Sequence, residues 1–379
     1  MRTWQDVSVA IANAPTPDWR LLAPHRPLGP GEGAYVVRPN GGGDAIASWI
    51  TAGGTPVLVG GPTGAGKSTE LARAAAGLSS TRVACVVQVD RLTNVHRLSA
   101  DELMGLIAHR LVVLARDQLH LRLSPELASA AGNVYAAARM AEDMFHASGT
   151  SVARAALDEI ARRSPQGRIA LLVDGLERLP RSASAQEIFE ALSRLPDSMD
   201  LVVVIPWHSV FEGGTESILR AGERLHRVLP LESEGPGGAA TRAFFFSLLV
   251  GRLLDCALPT SVEALIERAI ASSGGLPRVC LQLVADAGTY ARVKRGAAWP
   301  DASDLEDAIA EQQDSFRRAL LPDDTQAIVA VAGTDGRELP LERRVRLLAQ
   351  GILLERARDG RMILEMHPLV RDAVLHPRP

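Results

Sequence analysis

The chain has 379 residues, of which 46% are hydrophobic and 22% charged, and its formal net charge is −3 at pH 7. That length accommodates two or three domains and a sizeable core, and the near-balanced charge excludes a global basic field of the kind that draws proteins onto nucleic acid. Cys85, Cys256 and Cys280 stand far apart in apolar settings, so they read as buried thiols in a reducing compartment rather than disulfides or a metal site.

Residues 1–34 are rich in proline and polar side chains and read as an irregular lead-in without a signal-peptide pattern. No apolar run approaches the roughly 20 residues of a membrane span, so a cytoplasmic protein without a membrane partner is expected. The alanine and arginine bias points to a GC-rich bacterial genome. PVLVG at 56–60 is a short apolar run ending in glycine, hence a buried strand, and TELARAAAGL at 69–78 has helical spacing. RVACVVQV at 82–89 is β-branched and reads as a second strand. Residues 100–163 are helical in pattern, with breaks near Pro125 and Gly149. RIALLVDG (168–175), DLVVVIP (200–206) and HRVLPL (226–231) read as three further strands. Strands that are apolar on both faces and alternate with helices imply a parallel sheet covered by helices, an α/β fold.

Beyond ESEGPGGAA at 232–240, a linker candidate, the pattern from 241 to 318 is helical and broken at Gly274–Pro277. AFFFSLLV at 243–250 is the most apolar patch and reads as a buried helix. From 322 onward come helices, then GILLER, RDGR and MILEMH, a helix–strand–turn–strand order that outlines a winged helix. The expected organisation is therefore an α/β domain at 35–232 with a helical insertion at about 100–163, a helical lid at 233–320 and a winged helix at 321–379.

The stretch GGPTGAGKSTE (60–70) carries one of only two lysines, Lys67 and Lys294, among 41 basic residues. Arginine is the default cation here, so Lys67 marks a position where a guanidinium does not serve. Gly61 to Ser68 matches the Walker A pattern, glycine, four residues, then Gly-Lys-Ser. Backbone N–H groups have to curl around a phosphate, and glycines allow that approach. The helix that follows points its N-terminus at the anion. Lys67 supplies a compact charge for the β and γ phosphates, and Ser68 a hydroxyl for Mg2+. Gly61, Pro62, Thr63, Gly64, Ala65, Gly66, Lys67, Ser68 and Thr69 are thus the expected phosphate-binding residues, with ATP, ADP and Mg2+ as ligands.

A P-loop needs a second carboxylate for Mg2+ at the end of a neighbouring apolar strand, and Asp174 in IALLVDGLE takes that place. Lys67 and Asp174 are therefore candidate catalytic residues. Many AAA+ ATPases carry a water-activating glutamate directly after this aspartate, whereas here the position is Gly175. Glu177 has two readings, the displaced base or an ordinary helix-start acid. A missing or displaced base predicts slow hydrolysis, which suits a switch better than a motor. Trp207 and His208 follow the next strand, where a γ-phosphate sensor is usual; a surface histidine is the alternative. Arg220, Arg224 and Arg227 lie where AAA+ proteins place an arginine finger, and a solvated helix face is the other reading.

Three further stretches resemble STAND-class P-loop ATPases, whose layout of nucleotide domain, helical lid and winged helix is shared with AAA+ and NB-ARC proteins. SSGGLPRVCLQLVADA (272–287) looks like the GLPL motif of the STAND helical domain and like the sensor 2 helix of AAA+ initiators. The resemblance implies that Pro277 packs near the adenine and Arg278 faces the phosphates; a plain helix start with proline in its first turn is the other reading. EMHPLVRDAVL (365–375) looks like the MHD motif of NB-ARC domains, with His367 at the position that touches the β-phosphate of ADP. The motif's aspartate is replaced by Pro368, and a structural histidine is the alternative. YVVRPNGGGDAIASWI (35–50) resembles the segment that leads into the STAND P-loop, and the resemblance implies that this segment, with Arg38, flanks the adenine.

The resemblance spans most of residues 35–375 and implies a slow ATPase switch. ADP-closed and ATP-open states would control a nucleotide-dependent homo-oligomer or a separately encoded effector or sensor, in bacterial signalling or defence. Two alternatives stand beside it. One is a DNA-binding initiator or loader like those of archaea: Arg343, Arg344 and Arg346 cluster, although Asp323, Asp324, Glu338, Glu342 and Glu355 dilute the basic charge. The other is a pseudo-ATPase that holds nucleotide as structure.

Overall fold

The computed structural model describes residues 36–39, 41–53, 56–140, 148–180, 183–196, 198–212, 224–232, 237–253, 259–358 and 360–375. The chain forms two compact units: Gly42–Gly61 with Lys67–Val228, and the described residues within Met1–Gly41, Pro62–Gly66 and Leu229–Pro379.

The first unit is built on a five-stranded sheet, β1 (Val57–Gly60), β2 (Val83–Gln88), β3 (Ile169–Asp174), β4 (Asp200–Val204) and β5 (Arg224–Arg227), in the order β2-β3-β4-β1-β5. Every pairing is parallel. β1, β3 and β4 are buried along their whole length, as strands covered on both faces have to be. The helices of this unit are α1 (Gly43–Thr51), α2 (Lys67–Leu78), the short α3 (Val89–Leu92), α4 (Ala100–Asp117), α5 (Pro125–Met140), α6 (Gly149–Arg163), α7 (Ala183–Ser193) and α8 (Trp207–Glu212). This is the α/β P-loop fold expected from the sequence: a parallel sheet flanked by helices, with a helical region after it.

The breaks at Pro125 and Gly149 fall where the pattern puts them. Ser99 caps α4 by accepting from Glu102 N at 3.1 Å. Leu103, Ile107 and Leu111 of α4 pack with Val152, Leu157 and Ile160 of α6 in one core with the sheet residues Cys85, Leu171 and Val203. α1 buries Gly43, Ile46, Ala47 and Ile50 at helical spacing, and Glu70 anchors its start: its buried carboxylate accepts from Gly43 N at 2.7 Å and satisfies an orphan donor there.

The fifth strand differs from expectation. It runs over Arg224–Arg227 rather than 226–231 and pairs with Val57–Gly60. β1 ends at Gly60, whose carbonyl still accepts from Val228 N at 2.8 Å. Past that point Pro230 has no N–H to give, and Leu231 N donates instead to Gly275 O at 2.9 Å.

In the second unit, α9 (Gly238–Arg252), α10 (Thr260–Ser272), α11 (Pro277–Arg295) and α12 (Ala302–Ala319) are followed by α13 (Asp324–Val331), α14 (Leu341–Ala349), the hairpin β6 (Leu353–Arg358) and β7 (Arg361–Met366), and α15 (Pro368–Leu375). The hairpin is antiparallel, with Leu353 opposite Met366. α12 starts with a capping box between Asp301 and Asp304. Phe245, Leu249, Ile266, Leu281, Val284, Ile309 and Leu369 share one core. AFFFSLLV is only half buried: Phe244, Phe245 and Leu249 face the core, while Val250 is 46% exposed. The helix is amphipathic, with one face in the core. Cys85 and Cys280 are buried free thiols, as expected, with burial pushing the Cys85 thiol up to about 12; Cys256 lies outside the described residues.

Candidate functional site

The loop between β1 and α2 has the backbone its composition calls for. Gly61, Gly64 and Gly66 take φ values of +155°, +86° and +104°, a region that side-chain-bearing residues avoid. Gly64 also faces a steric limit, since a Cβ there would lie 2.8 Å from Arg278 Cβ. Ala65 N donates to Pro62 O at 3.2 Å, closing the turn. Lys67 opens α2 and is buried, and its Nζ donates to Gly61 O at 2.9 Å. The ammonium folds onto the loop that holds it, as a compact cation does when its three donors need acceptors. Ser68 and Thr69 follow in the exposed first turn of α2.

Two groups predicted from the sequence hold the apex of this loop within the second unit. Arg38 is buried, and its Nη1 donates to Ala65 O at 2.6 Å while Nη2 bonds Leu229 O. Arg278 N, at the N-terminus of α11, donates to Gly64 O at 3.2 Å, and the stem of the Arg278 side chain covers Gly64. Pro277 is buried at the first turn of α11, where its missing N–H costs nothing. The structure thus brings together Arg38, Pro62–Gly66, Pro277 and Arg278.

In the first unit, β3 ends on Asp174. Its carboxylate accepts from Gly175 N at 2.9 Å and from the Ser68 hydroxyl. Burial, then the neighbouring charges of Glu177 and Asp90, push its pKa up to about 6 against those hydrogen bonds. Glu177 sits in a single 3-10 turn, Leu176–Arg178, and its Oε2 is buried without a hydrogen-bond partner. Asp90, at the start of α3, was not singled out in the sequence. Nothing in its spacing marks it; it meets this site only because β2 and β3 are neighbours, with Gln88 opposite Asp174. Gly175 has φ +87°, and a Cβ there would lie 2.6 Å from Asp90 Oδ1.

This donor set fits a small hard cation. A carboxylate pushed upward by burial and then by its acidic neighbours shares a hydroxyl with the P-loop helix. Among the described residues no three His, Cys, Asp or Glu side chains converge to hold a metal by themselves. Mg2+ asks less, because it keeps waters and phosphate oxygens and takes one or two protein ligands; Ser68 and Asp174 would be those ligands.

His367 makes its contacts within the second unit. It is fully buried, its ring lies 5.0 Å from that of Phe316, and Nδ1 accepts from Leu369 N at 3.2 Å. Nε2 faces Gly274 and the backbone of Ser273. Burial first, and the nearby Arg356, lower its pKa to about 3 against a Ser273 backbone interaction, so the ring is neutral. Arg356 of β6 is buried beside it and donates to Leu231 O and Gly274 O, both at 2.8 Å. The break at Gly274–Pro277 is thereby pinned from the hairpin.

The remaining candidates are dispersed. Arg224 lies over the Trp49 ring, 5.5 Å from its centroid. Arg227 is half-buried in β5. Arg220 and the His208 side chain lie outside the described residues. Arg346 donates to both Asp324 oxygens, at 2.6 and 2.8 Å, and Arg343 lies 3.7 Å from the same carboxylate. No described helix is long and apolar enough to cross a membrane.

No family model matches the chain, and no curated protein matches it. Among solved structures it is similar to the RuvB Holliday junction branch migration motor of Thermotoga maritima, at 12% identity and a TM-score of 0.41, over 95% of this chain and 100% of that one. It is also similar to a chain of Drosophila ORC bound to DNA, at 13% identity and a TM-score of 0.42, over 98% of this chain and 90% of that one. Likeness at this level decides neither activity nor partner; the chain's own residues have to do that.

Proposed function

We propose that the chain binds ATP and ADP with Mg2+ on the Gly61–Thr69 loop, hydrolyses ATP slowly, and acts as a switch of the AAA+/STAND kind. The observation that supports this most is Asp174: a buried carboxylate, flanked by Glu177 and Asp90, bonded to the hydroxyl that follows the P-loop lysine. Bound Mg2+ supplies charge for a developing phosphate leaving group. The loop amides and Lys67 position the phosphates, Ser68 and Asp174 hold the ion, and Arg278 serves the same phosphates in this reading. In this reading residues 233–320 are the lid, 321–379 the winged helix, and His367 and Pro277 serve the nucleotide site. Gly175 in the usual place of the glutamate supports slow turnover. The output is a homo-oligomer or a separately encoded effector, in bacterial signalling or defence. The engagement of Arg343 and Arg346 with Asp324 argues against the DNA-binding alternative, since those guanidiniums are already committed.

Calorimetry with Mg-ATP tests the proposal. The wild type binds, and Lys67→Ala weakens binding at least ~100-fold, about 3 kcal/mol; a wild type without measurable heat or turnover sinks it. Particle mass in ADP against a non-hydrolysable ATP analogue reports the switch, and an unchanged mass with no captured partner removes that half.

A further inference from the structure

A water-activating carboxylate is missing from position 175, and the structure shows why it does not sit there. Gly175 has φ +87°, and a side chain would start 2.6 Å from Asp90 Oδ1 and 2.7 Å from Asp90 N. A residue with a Cβ at 175 and Asp90 as it stands cannot share that volume. The Asp90 carboxylate occupies the space into which a glutamate at 175 would project. It is delivered from the neighbouring strand: Gln88 ends β2 opposite Asp174, and the chain continues through Val89 to Asp90 while β3 continues to Gly175. Exposure favours it over the other acid: Asp90 is exposed, whereas Glu177 is half-buried with its Oε2 out of solvent, and a base that activates water has to be reached by water.

Resting on the nucleotide reading above, we propose that Asp90 is the general base for ATP hydrolysis, replacing the glutamate that the backbone at Gly175 excludes. The Asp90 carboxylate takes a proton from water as the water oxygen bonds to the γ-phosphorus. The bond from that phosphorus to the β–γ bridging oxygen breaks, its electron pair leaving on ADP. The proton then passes from Asp90 to solvent or to the inorganic phosphate formed.

Asp90→Asn keeps shape and removes basicity. Turnover falls at least ~100-fold, while Mg-ATP affinity by calorimetry stays within about threefold of wild type. Nucleotide extracted from the variant after incubation with ATP remains triphosphate, whereas the wild type yields diphosphate. Asp90→Glu, which keeps the carboxylate, retains at least about a tenth of the turnover. Turnover in Asp90→Asn within about threefold of wild type overturns the proposal, as does equal loss in the Asn and Glu variants, or loss of affinity together with turnover. A wild type that binds Mg-ATP and never hydrolyses it overturns the base assignment and leaves nucleotide binding standing; a wild type that does not bind removes both.

Discussion

Two aspartates of one sheet are treated in opposite ways. Asp200 begins β4 beside Ala170 and is fully buried. Arg82 Nε reaches it at 2.7 Å and Arg168 Nη2 at 2.8 Å, so its charge is answered from two sides. Asp174 ends β3 and is just as buried, yet it receives one hydroxyl and one N–H and faces Glu177 and Asp90. Two arginines answer the carboxylate at one end of the sheet, whereas Asp174 at the other end is held by a hydroxyl and an N–H beside two further acids. Buried charges without partners are costly, and such places are where binding chemistry concentrates. The difference between the two ends shows where a cation belongs better than either residue does alone.

The comparison breaks most visibly at Asp200. Asp200→Ala leaves two guanidiniums facing a hole and lowers stability by about 3–5 kcal/mol, seen as a large drop in the chemical-denaturation midpoint. Asp174→Asn goes the other way in protein free of nucleotide. Because the folded state holds the Asp174 pKa at about 6 against an ordinary 3.8, protonation favours the fold. That contribution is complete below about pH 4 and is lost as pH rises through 6. Wild type and Asp174→Asn therefore have equal unfolding free energies near pH 4, and by pH 7 the variant is the more stable by roughly 2–3 kcal/mol. A constant difference between pH 4 and 7 would remove Asp174 from the list of uncompensated charges. At the small end, Asp44 pairs with Arg73 at 2.9 Å in the open. Asp44→Ala changes stability by less than about 0.5 kcal/mol, which measures how little a solvated carboxylate matters beside the two buried ones.

What could be read from residue order was the chemistry carried by local spacing. The glycine loop, Lys67 and the aspartate at the end of an apolar strand are each defined within a few residues of chain, and the α/β fold follows from strands that are apolar on both faces. What could not be read depends on neighbours distant in sequence. Asp90 is an ordinary acid after a strand until β2 is known to lie beside β3. Glu70 is an ordinary acid in a P-loop helix until Gly43 is found on its carboxylate. The end of β5 came early: Val228 N makes the last bond to Gly60 O, Pro230 has no N–H to give, and Leu231 N donates to Gly275 O. The arginine cluster at 343–346 looked free until Asp324 was placed beneath it, where Arg346 holds its carboxyl below the usual range despite burial.

Arg38 shows how far the phosphate loop reaches beyond its own motif. One guanidinium ties Ala65 O and Leu229 O to a residue 27 positions upstream of Ala65. Moved into another scaffold with its glycines and lysine intact, the eight-residue signature would lack this bolt. Any shortened version of the chain that starts after residue 38 would carry the same letters around a looser cradle.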